Sequence, residues 1–208
     1  MRVQQVPAAT PWPTFSVSVT TGTVAAGAGA LSEIFQFRWT STTARAVIHL
    51  VELEQFASLG TGFTAGSFLF NLTTARAWTA AGTGGTTVTI TGNNMKHRTS
   101  TATTGVQEIR VATTAALGAG TKTLDAAPKR SVFGKVNNVA STQFIPATGL
   151  VGGGRGAVLF AASEADAGVP LILNPGASSG EGVVVRATVP ATGTWEASVR
   201  ITWSEETV

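Results

Sequence analysis

The stretch Thr194–Glu206, TWEASVRITWSEE, places Trp195, Val199, Ile201 and Trp203 at every second position or multiples of it. An extended strand sends successive side chains to opposite faces, so this segment has one face for a core and one for water. A helix would scatter the same residues around its circumference. The alternation recurs in FSVSVTT, where Phe15, Val17 and Val19 oppose Ser16, Ser18 and Thr20. In EIFQFRWT, Phe35, Phe37 and Trp39 oppose Gln36 and Arg38. Further strands are predicted in TTVTITG, VQEIRVAT, TKTLDAA, RGAVLFAA, VPLILNP and EGVVVRATV. In ARAVIHLVELEQF, strict alternation puts Val47, His49, Val51 and Leu53 on one face and Ile48, Leu50, Glu52 and Glu54 on the other. SFLFNLTTARAW is ambiguous, because Phe68, Leu72 and Ala75 also satisfy a helical stripe; it reads as a short helix or an irregular strand.

Many short alternating segments between turn residues predict an all-β chain closed as a sandwich, jelly roll or barrel. The core expected from alternation is Phe35, Phe37, Trp39, Val51, Leu53, Ile90, Ile109, Leu171, Leu173, Val183, Val185, Trp195, Val199, Ile201 and Trp203. Composition agrees. Charged residues are only 12% of the chain, which leaves little material for amphipathic helices. The 208 residues suffice for one all-β domain with a substantial core. There is no cysteine, so neither disulfides nor thiolate metal ligation contribute. The absence of a long apolar run argues against a membrane partner, and the N-terminus lacks the apolar centre of a secretory signal; folding in a cytoplasm is expected.

Residues 1–14 carry Pro7, Pro11 and Pro13 around Trp12, which opposes both helix and strand pairing. They are expected to form an extended arm ahead of a single domain at 15–208. At about 3.3 Å per residue such an arm spans roughly 40 Å, enough to cross onto a neighbouring subunit. Val6, Pro11, Trp12 and Pro13 are the candidate interface residues, with Trp12 as the anchor. Charge is also segregated. From Lys96 to Lys135, seven basic residues stand against Glu108 and Asp125, net +5; from Glu164 onward, six acids stand against Arg186 and Arg200, net −4. These stretches are either solvated surface or complementary faces between subunits.

Motifs that carry chemistry are incomplete. GLVGGGRG, Gly149–Gly156, has the glycines of a phosphate-binding loop, but Arg155 and Gly156 stand where Lys and Ser or Thr are needed. GASSG, Gly176–Gly180, matches a nucleophile elbow around Ser178, yet both histidines, His49 and His97, precede it and its flanks read as strands. Alternation turns His49 away from Glu52 and Glu54, and His97 sits between Lys96 and Arg98, so no metal site is expected. The sequon at Asn71 matters only in a secreted eukaryotic protein. Nucleic acid is not an expected partner, since Phe133 alone among aromatics accompanies the basic segment. No catalytic residue, cofactor or enzymatic activity is expected.

Four stretches carry a resemblance: SEIFQFRW (Ser32–Trp39), ARAWTAAGTGGTTVTITGNNMKHRTS (Ala75–Ser100), AALGAGTKTLDAAP (Ala115–Pro128), and the ending with PLILNPG and GEGVVVRATVPATGTWEASVRITWSEE. Together they resemble a family of jelly-roll-like virion structural proteins of tailed bacteriophages, encoded among head and tail genes. The resemblance implies an all-β, jelly-roll-like sandwich carried on the virion and assembled in the host cytoplasm. A capsid decoration or cement protein is the leading expectation, with the major capsid protein or another virion protein as partner and a homo-oligomer, trimer before dimer, as its state. The alternative is a tail fibre, spike or baseplate component that binds a receptor or carbohydrate.

Overall fold

The strand with the clearest alternation, β15 (Thr194–Thr207), lies at the centre of a sheet. It pairs antiparallel with β1 (Thr14–Thr20) on one side, Thr14 opposite Ser204 through Thr20 opposite Ser198, and with β4 (Ala44–Leu59) on the other. The computed structural model describes residues 13–25, 31–59, 63–90, 96–98, 107–136, 143–144, 157–162, 169–176 and 180–208. The first sheet is completed by β2 (Val24–Ala25), β7 (Lys96–Arg98), β11 (Gln143–Phe144), β12 (Ala157–Ala161) and β13 (Leu171–Leu173). The second contains β3 (Ser32–Trp39), β5 (Gly66–Ala80), β6 (Thr86–Val88), β8 (Gln107–Val111), β9 (Thr121–Leu124), β10 (Arg130–Val136) and β14 (Gly180–Thr188). Its main path runs β10-β5-β14-β3-β8-β6, with β9 on β5. All pairings are antiparallel, and the two sheets pack together as an all-β sandwich.

The core lies between the sheets. Every core residue expected from alternation is buried except Leu171, which is half-buried and packs against the rest. Two aromatic groups fill it. Trp203 contacts Phe15 and Phe37 at centroid distances of 5.4 and 5.2 Å. Phe56 gathers Phe63, Phe68, Phe70 and Trp195 at 5.8, 5.1, 5.0 and 5.7 Å. Offset and edge-on ring contacts at such distances add to the area they bury.

Three sequence expectations are corrected. In β4 the core residues are Ala44, Ala46, Ile48, Val51, Leu53 and Phe56, and Val47 lies outside the core cluster. The register against β15 shifts twice, between Ser198 and Val199 and between Thr202 and Trp203, leaving Glu54 and His49 as extra residues. Each bulge inserts one residue and resets the alternation, so a strict period assigns the wrong face beyond it. SFLFNLTTARAW is strand throughout, because β5 is paired on both edges and this pairing overrides its helical stripe. Phe68, Phe70 and Leu72 enter the core, while Ala75 and Trp78 form a small cluster with Val184 elsewhere. Finally, Thr14 opens β1, so the first sheet begins one residue before the expected boundary at 15, and the Pro13 carbonyl just ahead of it accepts the Glu205 N–H at 3.1 Å. Val6, Pro11 and Trp12, the glycine loop with Arg155, and Ser178 lie outside the described residues.

Candidate functional site

Sequence alternation would bury Glu33 with Phe35 and Phe37. The register between β3 and β14 shifts instead: Val185 faces Phe35, and Arg186 faces Glu33. Ile34 is thus the extra residue, and both Ile34 and Phe35 reach the core. Glu33 and Gln36 are released to the outer face, where each is nonetheless buried.

What buries them is a pair of zipped loops. Ala112 N–H donates to Ile34 O at 2.9 Å and Leu117 N–H to Glu33 O at 2.8 Å; Gly118 and Thr83 exchange backbone bonds of 2.9 and 3.3 Å. Gly85, with φ +62°, permits the close approach, since a Cβ there would lie 2.1 Å from Val111 O. Beneath the loops Lys122 Nζ donates to Glu33 Oε2 at 2.8 Å and also to Ala119 O. Its ammonium stands 4.4 Å from the Trp78 ring centroid. Gln36 Nε2 donates to the same Glu33 oxygen at 2.6 Å and to Gly118 O at 3.0 Å. The Lys122 and Glu33 side chains are only 2% and 8% exposed, so each charge depends on the other for its place in the fold.

Beside this cluster a cavity of about 220 Å³ opens on the second sheet, between Gln36, Arg38, Glu108, Arg110 and Thr87 and the chain at Trp78–Gly82. Its floor follows the sheet register. Gln36 is opposite Arg110, which is opposite Thr87, and Arg38 is opposite Glu108. Arg38 uses all three of its nitrogens, donating to Trp78 O, Thr79 O and Glu108 Oε2 at 3.1, 3.2 and 2.8 Å. Arg110 Nη1 donates to Gly84 O at 2.7 Å. Gly82 keeps this space open: a Cβ on it would fall 2.2 Å from Gln36 Oε1.

The outer face of the first sheet carries hydroxyls instead. Ser16 and Thr202 are bonded at 3.0 Å, Ser198 donates to Glu54 at 3.3 Å, and Ser18 also donates to Glu54. The bulge at His49 brings its Nε2 within 2.8 Å of Ser204 Oγ. A nucleophile and base at that distance still need a group to orient the base and an accessible reacting atom. Ser204 is 1% exposed, and Ser204 is the one side-chain partner of His49 among the described residues. The bond therefore serves as a tie between strands. Burial lowers the His49 pKa below its ordinary 6.5. The unfolded chain then takes up the proton first as pH falls. The contribution of neutral His49 is present above pH 6.5 and lost on acidification through 6.5 and the lower folded value, with a slope of at most about 1.4 kcal/mol per pH unit. Urea unfolding between pH 8 and 4 should show this fall, and His49→Gln should remove it; an unchanged pH profile in that variant would place the titration elsewhere.

Among the described residues no group of three His, Asp, Glu or Cys side chains is placed to hold a metal ion. The ion pairs of the described residues do not join the basic segment to the acidic one: each partner outside its own segment lies in the first 80 residues. Lys122 pairs with Glu33, Arg76 with Asp125 and Glu181, and Arg45 with Glu206. The carboxylate partners raise the Arg45 and Arg76 pKa values, through hydrogen bonds with Glu206 and Asp125 first. Lys129, Arg130 and Lys135 remain exposed at the β10 edge with Phe133, which is 62% exposed. Asn71 of the sequon is buried in β5. Sequence reasoning passed over Glu33, Gln36 and Lys122; the available signal was an acid on the apolar face of an otherwise alternating strand. Comparisons with known proteins found no matching family model, no matching curated protein and no matching solved structure.

Proposed function

We propose that the chain is a non-enzymatic structural protein of a tailed-bacteriophage virion, a jelly-roll-like decoration or cement protein that seats on the major capsid shell as a symmetric oligomer, trimer before dimer. The observation that carries this reading is the resemblance of the quoted stretches, which contain all of β3, β6, β7, β9, β13 and β14, most of β15 and several of the turns between strands. The charged side chains support the same reading: Arg38–Glu108, Arg76–Asp125, Arg76–Glu181 and Lys122–Glu33 tie one strand or loop to another within the chain.

Copy number tests it. Quantitative mass spectrometry of purified particles should find on the order of hundreds of copies, as expected for one symmetric oligomer at repeated sites of a shell. A dozen or fewer would move the protein to the tail and favour the fibre, spike or baseplate reading. The arm supplies a second test. Removing Met1–Trp12 leaves Pro13 and β1 intact and should keep the sandwich folded. If Trp12 anchors a neighbour, its loss costs at least about 2 kcal/mol, a weakening of roughly 30-fold in oligomer or particle binding. Equal binding by the truncated protein would remove the arm from the interface.

A further inference from the structure

The cavity above β3, β8 and β6 has a side-chain pattern of its own, and from it we infer that the protein binds a single neutral sugar ring, presented by a glycan. Gln36, Arg110 and Thr87 lie in one transverse row of the sheet. Neighbouring strands are about 4.8 Å apart, a spacing comparable to the width of a pyranose. Along this row the free groups alternate in kind. Gln36 is 2% exposed and both its bonds use Nε2, so Oε1 remains an acceptor without a partner among the described residues. Arg110 uses Nη1 alone and keeps N–H donors free, and the Thr87 hydroxyl has no partner among the described residues. Glu108 gives one oxygen to Arg38 and keeps the other.

Charge complementarity narrows the occupant. A carboxylate or phosphate would suit Arg110 but would meet Glu108 and the Gln36 carbonyl oxygen. An ammonium would suit these two and meet Arg110 and Arg38. A pair of adjacent hydroxyls, each able to donate and accept, satisfies Gln36, Arg110, Thr87 and Glu108 together. Ala81, which is half-buried, gives the cavity an apolar border for the carbon face of the ring. The volume, about 220 Å³, holds one sugar and excludes an oligosaccharide, so the remainder of a glycan would extend into solvent. This site is independent of where the protein sits in the particle, and the isolated protein tests it.

Saturation-transfer NMR should be run with the methyl glycosides of glucose, galactose, mannose and N-acetylglucosamine, and with acetate as a competing anion. At least one glycoside should bind with Kd of about 1 mM, as expected for a ligand of this size. Arg110→Ala, which removes the central donor, should weaken it tenfold or more. Thr87→Trp fills the cavity from an exposed position on β6 and should abolish binding while leaving the unfolding midpoint near that of the unmodified protein. Three results would overturn the inference: no glycoside binding at about 20 mM, binding that survives both substitutions, or displacement of the glycoside by acetate at equal concentration, which would mark an anion site.

Discussion

Replacing Trp203 with alanine is expected to lower the unfolding free energy by about 3–5 kcal/mol, the range for large buried aromatics. Trp203 is fully buried and touches Phe15 from β1 and Phe37 from β3, so it links the two sheets. Its indole N–H has no hydrogen-bond partner among the described residues, which makes packing the source of the loss. Trp203→Phe should therefore retain much of the stability that alanine forfeits. Urea denaturation followed by circular dichroism checks both, and a change near zero for Trp203→Ala would place the ring on the surface.

Glu33→Ala should be comparably damaging, at about 3–5 kcal/mol, because it leaves the Lys122 ammonium buried without its counter-charge. Lys122 would keep Ala119 O and the face of Trp78, neither of which carries a full negative charge. The double variant Glu33→Leu, Lys122→Met removes both charges and preserves apolar volume beneath the loops. It should recover most of the loss, since a buried pair contributes little net stability over well-packed apolar residues. A double-mutant cycle using the single variants measures the coupling, and additive effects would show that the two charges act independently. Proteolysis should also differ. The loops bonded to Ile34, Glu33 and Thr83 are held over this pair, so Glu33→Ala is expected to expose them to cleavage before global unfolding.

The places where alternation misled share one cause. A strand repeats every two residues only while its register with a neighbour is unbroken, and one extra residue inverts every face that follows. In β15 nothing is inserted, and Trp195, Val199, Ile201 and Trp203 all fall in the core as the sequence implies. In β4, His49 and Glu54 are both extra relative to β15, so Ile48 joins the core and His49 reaches Ser204. In β3 the same event at Ile34 moves Glu33 from the apparent core face to the outer face. Arg130–Val136 has no such period for a different reason: Val132 packs against the core while Phe133 is exposed, and an edge strand with so little burial has almost no alternation to read.

By itself the sequence determined the class and the core. Alternating apolar residues, little charge and frequent turns leave sheets packed on sheets as the way to bury so many aromatics, and that preference is written locally at each strand. The tertiary structure alone decided the site. Gln36, Arg110 and Thr87 stand side by side because β3, β8 and β6 pair in one register, although 74 positions separate Gln36 from Arg110. Lys122 meets Glu33 across 89 positions because two loops fold back over a bulge. Such contacts follow from strand register and loop closure, which are properties of pairs of distant segments and leave no periodic trace in either one alone.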